Sequence, residues 1–186
     1  MARSIELDDT DSLAQALFAE ILHDVGEVEL ADVHFRRAIA LNPNDIAAHA
    51  LFASKLSATN RIDEALEHLA IAERLDPFGL FWIPLIKGSV MYVARLYDEA
   101  LTALKSMTSP PVEASLILLA TLGRLGRRIE ATLVRQNMLE AAEREMPNYP
   151  GPGLEDWRHI IVRMRGNPDE EEIQHVMESL RLAGWK

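Results

Sequence analysis

Apolar side chains fall three and four residues apart along this chain, in stretches of helical length punctuated by Gly, Asn, Pro or short acidic runs. That spacing is one face of an α-helix, and no alternation with a period of two competes with it. The stretches come in pairs. Ala31, Ala65, Ala100 and Ala131 recur at intervals of 34, 35 and 31 residues, each just after a turn. Such a period is that of a helical hairpin. With the first unit set at residues 12–45, Phe18, Ala19, Leu22, Gly26, Ala31, Phe35, Ala38 and Pro43 take positions 7, 8, 11, 15, 20, 24, 27 and 32. Only position 4 departs, with Gln15 in place of a large apolar residue.

The second unit, 46–79, supplies Phe52, Ala53, Leu56, Ala65, Leu69, Ala72 and Pro77, with Asn60 at the turn where Gly is usual. The third, from Phe81, supplies Gly88, Met91, Tyr97, Ala100, Leu104 and Met107, and Ser109-Pro110-Pro111 must stop its second helix early. A fourth, from Val112, reads Leu118, Leu119, Leu122, Gly126, Ala131 and Met138, with its second helix predicted to run to about Glu145. Small residues at positions 8, 20 and 27 let paired helices approach, and larger ones at 7, 11 and 24 fill the space between. Residues 148–153, Asn-Tyr-Pro-Gly-Pro-Gly, then break the array. Two further helices are expected. One spans about Glu155 to Met164; the other opens at Asn167-Pro168-Asp169 and carries Ile173, Val176, Met177 and Leu180 on one face. They read as a cap over the apolar end of the array. The expected organisation is a lead at 1–11, four hairpins at 12–146, and a break with capping helices at 147–186, all in one domain.

Charge and composition narrow the functions. The formal charge of -10 disfavours nucleic acid as a partner, because that binding depends on Lys and Arg displacing counterions from phosphates. Ten acids against three bases in residues 1–45 concentrate the negative charge at the N-terminal end. There is no cysteine, hence no thiolate chemistry. No run is long and apolar enough to span a bilayer and the start MARSIELDDTD lacks the pattern of a secretory signal, so the expected location is cytoplasmic, without a membrane role. The six His include no pair at helical ligand spacing, and no cofactor or metal is expected. His23 beside Asp24 reads as an exposed pair, and Arg124, Arg127 and Arg128 as a solvated basic turn.

The in-phase units resemble the tetratricopeptide repeat (TPR) superfamily over residues 12–145. The segments Asp76-Pro77-Phe78, Phe81-Trp82, Arg95 to Ala100, Ser109-Pro110-Pro111, Leu125-Gly126-Arg127 and Glu178 to Gly184 look like the TPR tail of bacterial class III adenylate or guanylate cyclase-like proteins. No cyclase domain accompanies them. The resemblance implies an all-α, right-handed superhelix of hairpins with a C-terminal helical cap, acting as a non-enzymatic scaffold that binds a protein or peptide in its concave groove.

In that fold the groove is lined by positions 2, 5, 9, 12 and 13 of each first helix. Here these give Leu13, Ala16, Glu20, His23 and Asp24; Ala47, Ala50, Ser54, Ser57 and Ala58; Trp82, Leu85, Ser89, Tyr92 and Val93; and Glu113, Leu116, Ala120, Gly123 and Arg124. Glu20, His23, Asp24, Ser54, Trp82, Leu85, Ser89, Tyr92, Leu116 and Arg124 are the candidate contacts, acidic at one end and aromatic toward the other. An amphipathic helix or extended apolar peptide suits such a surface. Cover by the chain's own C-terminal helix or by a second copy suits it as well. A self-associating subunit and a small-ligand or enzymatic site near Glu20, His23 and Asp24 are the alternative functions.

Overall fold

The computed structural model describes residues 10–164 and 170–186, all of whose regular structure is helical. Eight helices come first: α1 (Ser12–Asp24), α2 (Val28–Leu41), α3 (Ile46–Ala58), α4 (Ile62–Leu75), α5 (Ile83–Val93), α6 (Tyr97–Lys105), α7 (Val112–Arg124) and α8 (Arg128–Glu145). A 3-10 turn at Glu155–Trp157, α9 (Arg158–Met164) and α10 (Glu170–Leu182) follow. The expected Asn167-Pro168-Asp169 start lies outside the described residues. The chain divides into two compact units, Met1–Ile86 and Lys87–Lys186.

Each break has a local cause. Asp11 and Asp45 precede α1 and α3, and their carboxylates accept from the amides of Ala14 and Ala48 at 3.1 Å, satisfying donors that a helix start leaves open. Helices α2 and α4 end at Leu41 and Leu75, directly before Asn42-Pro43 and Asp76-Pro77. The short α6 stops ahead of Pro110-Pro111, as its truncation predicts. The turn between paired helices needs a left-handed residue four times over. Gly26 and Gly126 provide it at φ 91° and 70°; Asn60 and Arg95 do so at 60° and 64°. For Arg95 the side chain strains the turn, since an L-residue with a Cβ loses about 1–2 kcal/mol there.

In the first unit, Ala19, Ala31, Phe35 and Ala38 bury the first hairpin and Ala53, Leu56, Ala65, Leu69 and Ala72 the second. Phe35 stacks on Phe52 with ring centroids 4.9 Å apart, joining the two hairpins. The departure at position 4 is explained by a polar bridge, in which Oε1 of buried Gln15 lies 2.6 Å from Nδ1 of His34. The next hairpin repeats it at the same positions: His49 Nδ1 lies 2.9 Å from His68 Nδ1, and His49 Nε2 donates to the Pro43 carbonyl at 3.2 Å. Burial lowers the pKa of both rings and favours their neutral forms, in which His49 Nδ1 accepts and His68 Nδ1 donates.

In the second unit, Gly88 faces Leu104 so closely that a Cβ would lie 2.4 Å from Cγ of that leucine, which is the small-residue packing expected at position 8. Ala114 to Thr121, Leu122, Ala131 and Met138 are buried around α7 and α8. The C-terminal segment is tied to itself: Trp157 and Trp185 pack with centroids 5.8 Å apart, Trp185 Nε1 donates to the Pro152 carbonyl at 2.8 Å, and the Leu154 amide donates to the Lys186 carbonyl at 2.9 Å.

Candidate partner-binding surface

The inner positions of the first unit form a small-residue surface with a charged end. Ala16, Ala50 and Ser57 are buried, Ser54 is half-buried, and Leu13 is exposed. Neighbouring first helices α1 and α3 are tied by Ser12 Oγ, which donates to Asp45 at 2.6 Å. At the charged end, Lys55 Nζ lies 2.7 Å from Asp24 and 3.8 Å from Glu20. The acidic end thus carries its own counter-ion from the next hairpin. His23 corrects an expectation. It is not an exposed partner of Asp24 but a buried ring, 4% exposed, and among the described residues neither of its nitrogens has a hydrogen-bond partner. Burial first, and the Lys55 charge second, lower its pKa, while Asp24 and Asp32 act in the other direction. A helical wheel places His23 on the inner side but cannot report what the adjoining helices set against it.

Trp82 packs with Ile46 and Ile86 against the buried cluster of Ala50, Ala72 and Ile83. Leu85 and Ser89 on the same helix are half-buried. The preceding loop is held by Asp76, whose carboxylate accepts from the Leu80 amide at 2.6 Å, and it leaves Phe78 and Phe81 95% and 82% exposed.

In the second unit the inner positions are filled. Helix α10 lies along α7, and Gly123 makes the approach possible: a Cβ there would stand 2.0 Å from the Ser179 carbonyl oxygen. Tyr92 is 1% exposed, and its hydroxyl donates to Ser179 Oγ at 2.7 Å. Burial raises the pKa of that phenol, keeping it a donor. Arg124 is no solvated turn residue. Its Nε donates to Ser179 Oγ at 2.7 Å, and its Nη2 reaches His175 Nδ1 at 2.9 Å, the His175 carbonyl at 3.1 Å and Glu178 at 2.7 Å. A guanidinium cannot accept, so His175 Nδ1 is bare and Nε2 carries the proton toward the Tyr97 hydroxyl, 3.1 Å away. Arg124 also lowers the pKa of Glu178. Leu116, Ala120 and Gly123, in line on α7, are buried.

Three of the ten candidate residues, Tyr92, Leu116 and Arg124, therefore lie buried or clasped in the unit that α10 closes. The residues that answer them, Ser179, His175 and Glu178, were missed. Their signal was the apolar face of α10, which announces a helix needing cover without naming the surface it finds.

Neither a protein-family profile nor a curated protein of similar sequence matches the chain. Among solved structures, the fold is similar to that of YrrB, described as a TPR protein with an unusual peptide-binding site. The likeness has a TM-score of 0.59 at 18% identity and covers 98% of this chain and 94% of that one. It supports the all-α, TPR-like fold. Among the described residues, no helix is long and apolar enough to cross a membrane.

Proposed function

We propose that this chain is a non-enzymatic, cytoplasmic scaffold that holds a peptide or helix of a protein partner against the inner faces of its first helices. One observation carries the reading: inner positions of the second unit already hold a helix, gripped by directed bonds from Tyr92 and Arg124. A surface that seats a helix in this way has the small residues for close approach and the polar groups for register that helix recognition needs. The peptide-binding site in the description of YrrB favours the same use of the fold. In the first unit the corresponding contacts are Glu20, Asp24, Ser54, Trp82 and Leu85.

Peptides selected from a random library against the intact chain, then titrated into isotope-labelled protein, test the reading. Amide shifts are expected at Glu20, Asp24, Ser54 and Leu85 and not at Glu27 or Arg61 on the outer turns. The opposite distribution would refute an inner binding face.

A further inference from the structure

We infer that α10 is a releasable occupant of the inner face in residues 87–186, and that the seat beneath it accepts an amphipathic helix bearing a small hydroxyl side chain at the position of Ser179. The inference rests on the inner-face reading above and narrows it to one site and one kind of ligand.

Three features argue for a seat shaped to a helix. The first is the crossing at Gly123, where the backbone of α10 comes closer than any side chain on α7 would allow. An extended peptide has no need of that clearance; a helix crossing backbone to backbone does. The second is the hydroxyl relay. Ser179 Oγ accepts from Tyr92 and from Arg124 and donates to the His175 carbonyl at 2.6 Å, so every lone pair and proton of a fully buried group is used. Only Ser or Thr offers that donor and acceptor set in so small a space. The third is that Arg124 also takes the His175 carbonyl and Nδ1, together with the Glu178 carboxylate, reading one helical turn along both backbone and side chain.

The same contacts make the occupant exchangeable. Release exposes the apolar face of Ile173, Val176, Met177 and Leu180, which an incoming amphipathic helix replaces in kind, while Arg124, Glu178 and His175 return to water without leaving a buried charge behind. The end of the chain stays fixed when the helix lifts, because Arg128 and Arg135 hold the carbonyls of Leu182 and Gly184 and Trp185 is wedged against Trp157. Release is then local and reversible. A site occupied in this way binds an external ligand only in the fraction of molecules whose own helix is out.

The experiment uses the full chain with Met177→Glu and Leu180→Glu, which remove two fully buried anchors of α10 and leave Tyr92, Gly123 and Arg124 untouched. A fluorescent peptide with the native sequence of residues 170–184 is the probe. Its affinity should rise at least tenfold over the unaltered chain, and Gly123→Leu, added to the double variant, should abolish the gain. Equal affinity in both proteins overturns the inference. Gain that persists with Gly123→Leu also overturns it, while leaving inner-face binding elsewhere in place; no binding to any of the three counts against both. Should the double variant lose more helix by circular dichroism than α10 contributes, hydrogen exchange in the unaltered chain decides. Amides of α10 must exchange at least tenfold faster than those of Leu118 to Leu122, and equal protection overturns release.

Discussion

Gly123→Ala sets two effects of opposite sign against each other. In a helix interior, Ala is favoured over Gly by about 1 kcal/mol, so a free α7 gains stability from the change. With α10 seated, the new Cβ stands 2.0 Å from the Ser179 carbonyl oxygen and 2.9 Å from the Ala183 nitrogen. Helix α10 must withdraw by about 1 Å, since backbone atoms cannot be pushed aside as a side-chain tip can. That movement adds overpacking of about 1–3 kcal/mol. It also stretches the 2.7 Å bonds from Tyr92 and Arg124 to Ser179, worth about 1 kcal/mol for the neutral one and about 1.5–3 kcal/mol for the charged one. If both bonds are lost, the net loss after the helix-propensity gain is about 2.5–6 kcal/mol, or roughly 5–24 °C in Tm for a chain of this size. Calorimetry on the variant reads it directly. A rise in Tm of a few degrees would mean that nothing lies over Gly123 in solution, and the assignment of the seat would fail.

Arg95→Gly relieves a left-handed turn and, among the described residues, gives up a partly exposed contact with Glu172 at 3.4 Å, so the variant should unfold at about 0.5–1 kcal/mol higher free energy; Gly126→Ala, at φ 70°, should lose about 1 kcal/mol in the same urea titration. Ala100→Leu should destabilise by about 1–3 kcal/mol, and an unchanged midpoint would contradict the hairpin register. Burial lowers the pKa of His49 and takes His68 from 6.5 to about 4, with the neighbouring His49 and Arg36 adding to the effect on His68. The unfolded chain therefore binds more protons between about pH 6.5 and pH 4, and stability must fall as the pH drops through that window. Replacing His68 by Phe should flatten this part of the Tm profile; an unaltered slope would remove the pair as its source.

The hairpins were legible because their determinants are local. Alanines at fixed intervals, prolines after helix ends and a left-handed residue in each turn are written within one repeat, and Asn60 declared its role by its type. Arg95 did not, since nothing in an arginine signals φ of 64°. The polar bridges at Gln15–His34 and His49–His68 were half visible: the same 19-residue separation recurs in successive repeats, and the odd glutamine at position 4 was one end of it. His23 and Arg124 differ from their expected exposure because their surroundings are set by elements distant in sequence, α3 packed beside α1 for the first and α10 for the second. Periodicity assigns a residue to a face. It does not say what arrives on that face from elsewhere.

The bond between Tyr92 and Ser179 closes a loop of 87 residues, whereas the bridges within a hairpin close loops of 19. On the ribosome this difference becomes a sequence of events. Repeat helices can pair as soon as each hairpin is made, since short loops close fast and sacrifice little chain entropy. The seat on α7 is complete once Arg124 has been added, and Ser179 comes 55 residues later. At about 5–20 residues per second, synthesis leaves that surface uncovered for several seconds in every newly made molecule. A partner able to engage during that interval would meet the seat before α10 exists to compete for it.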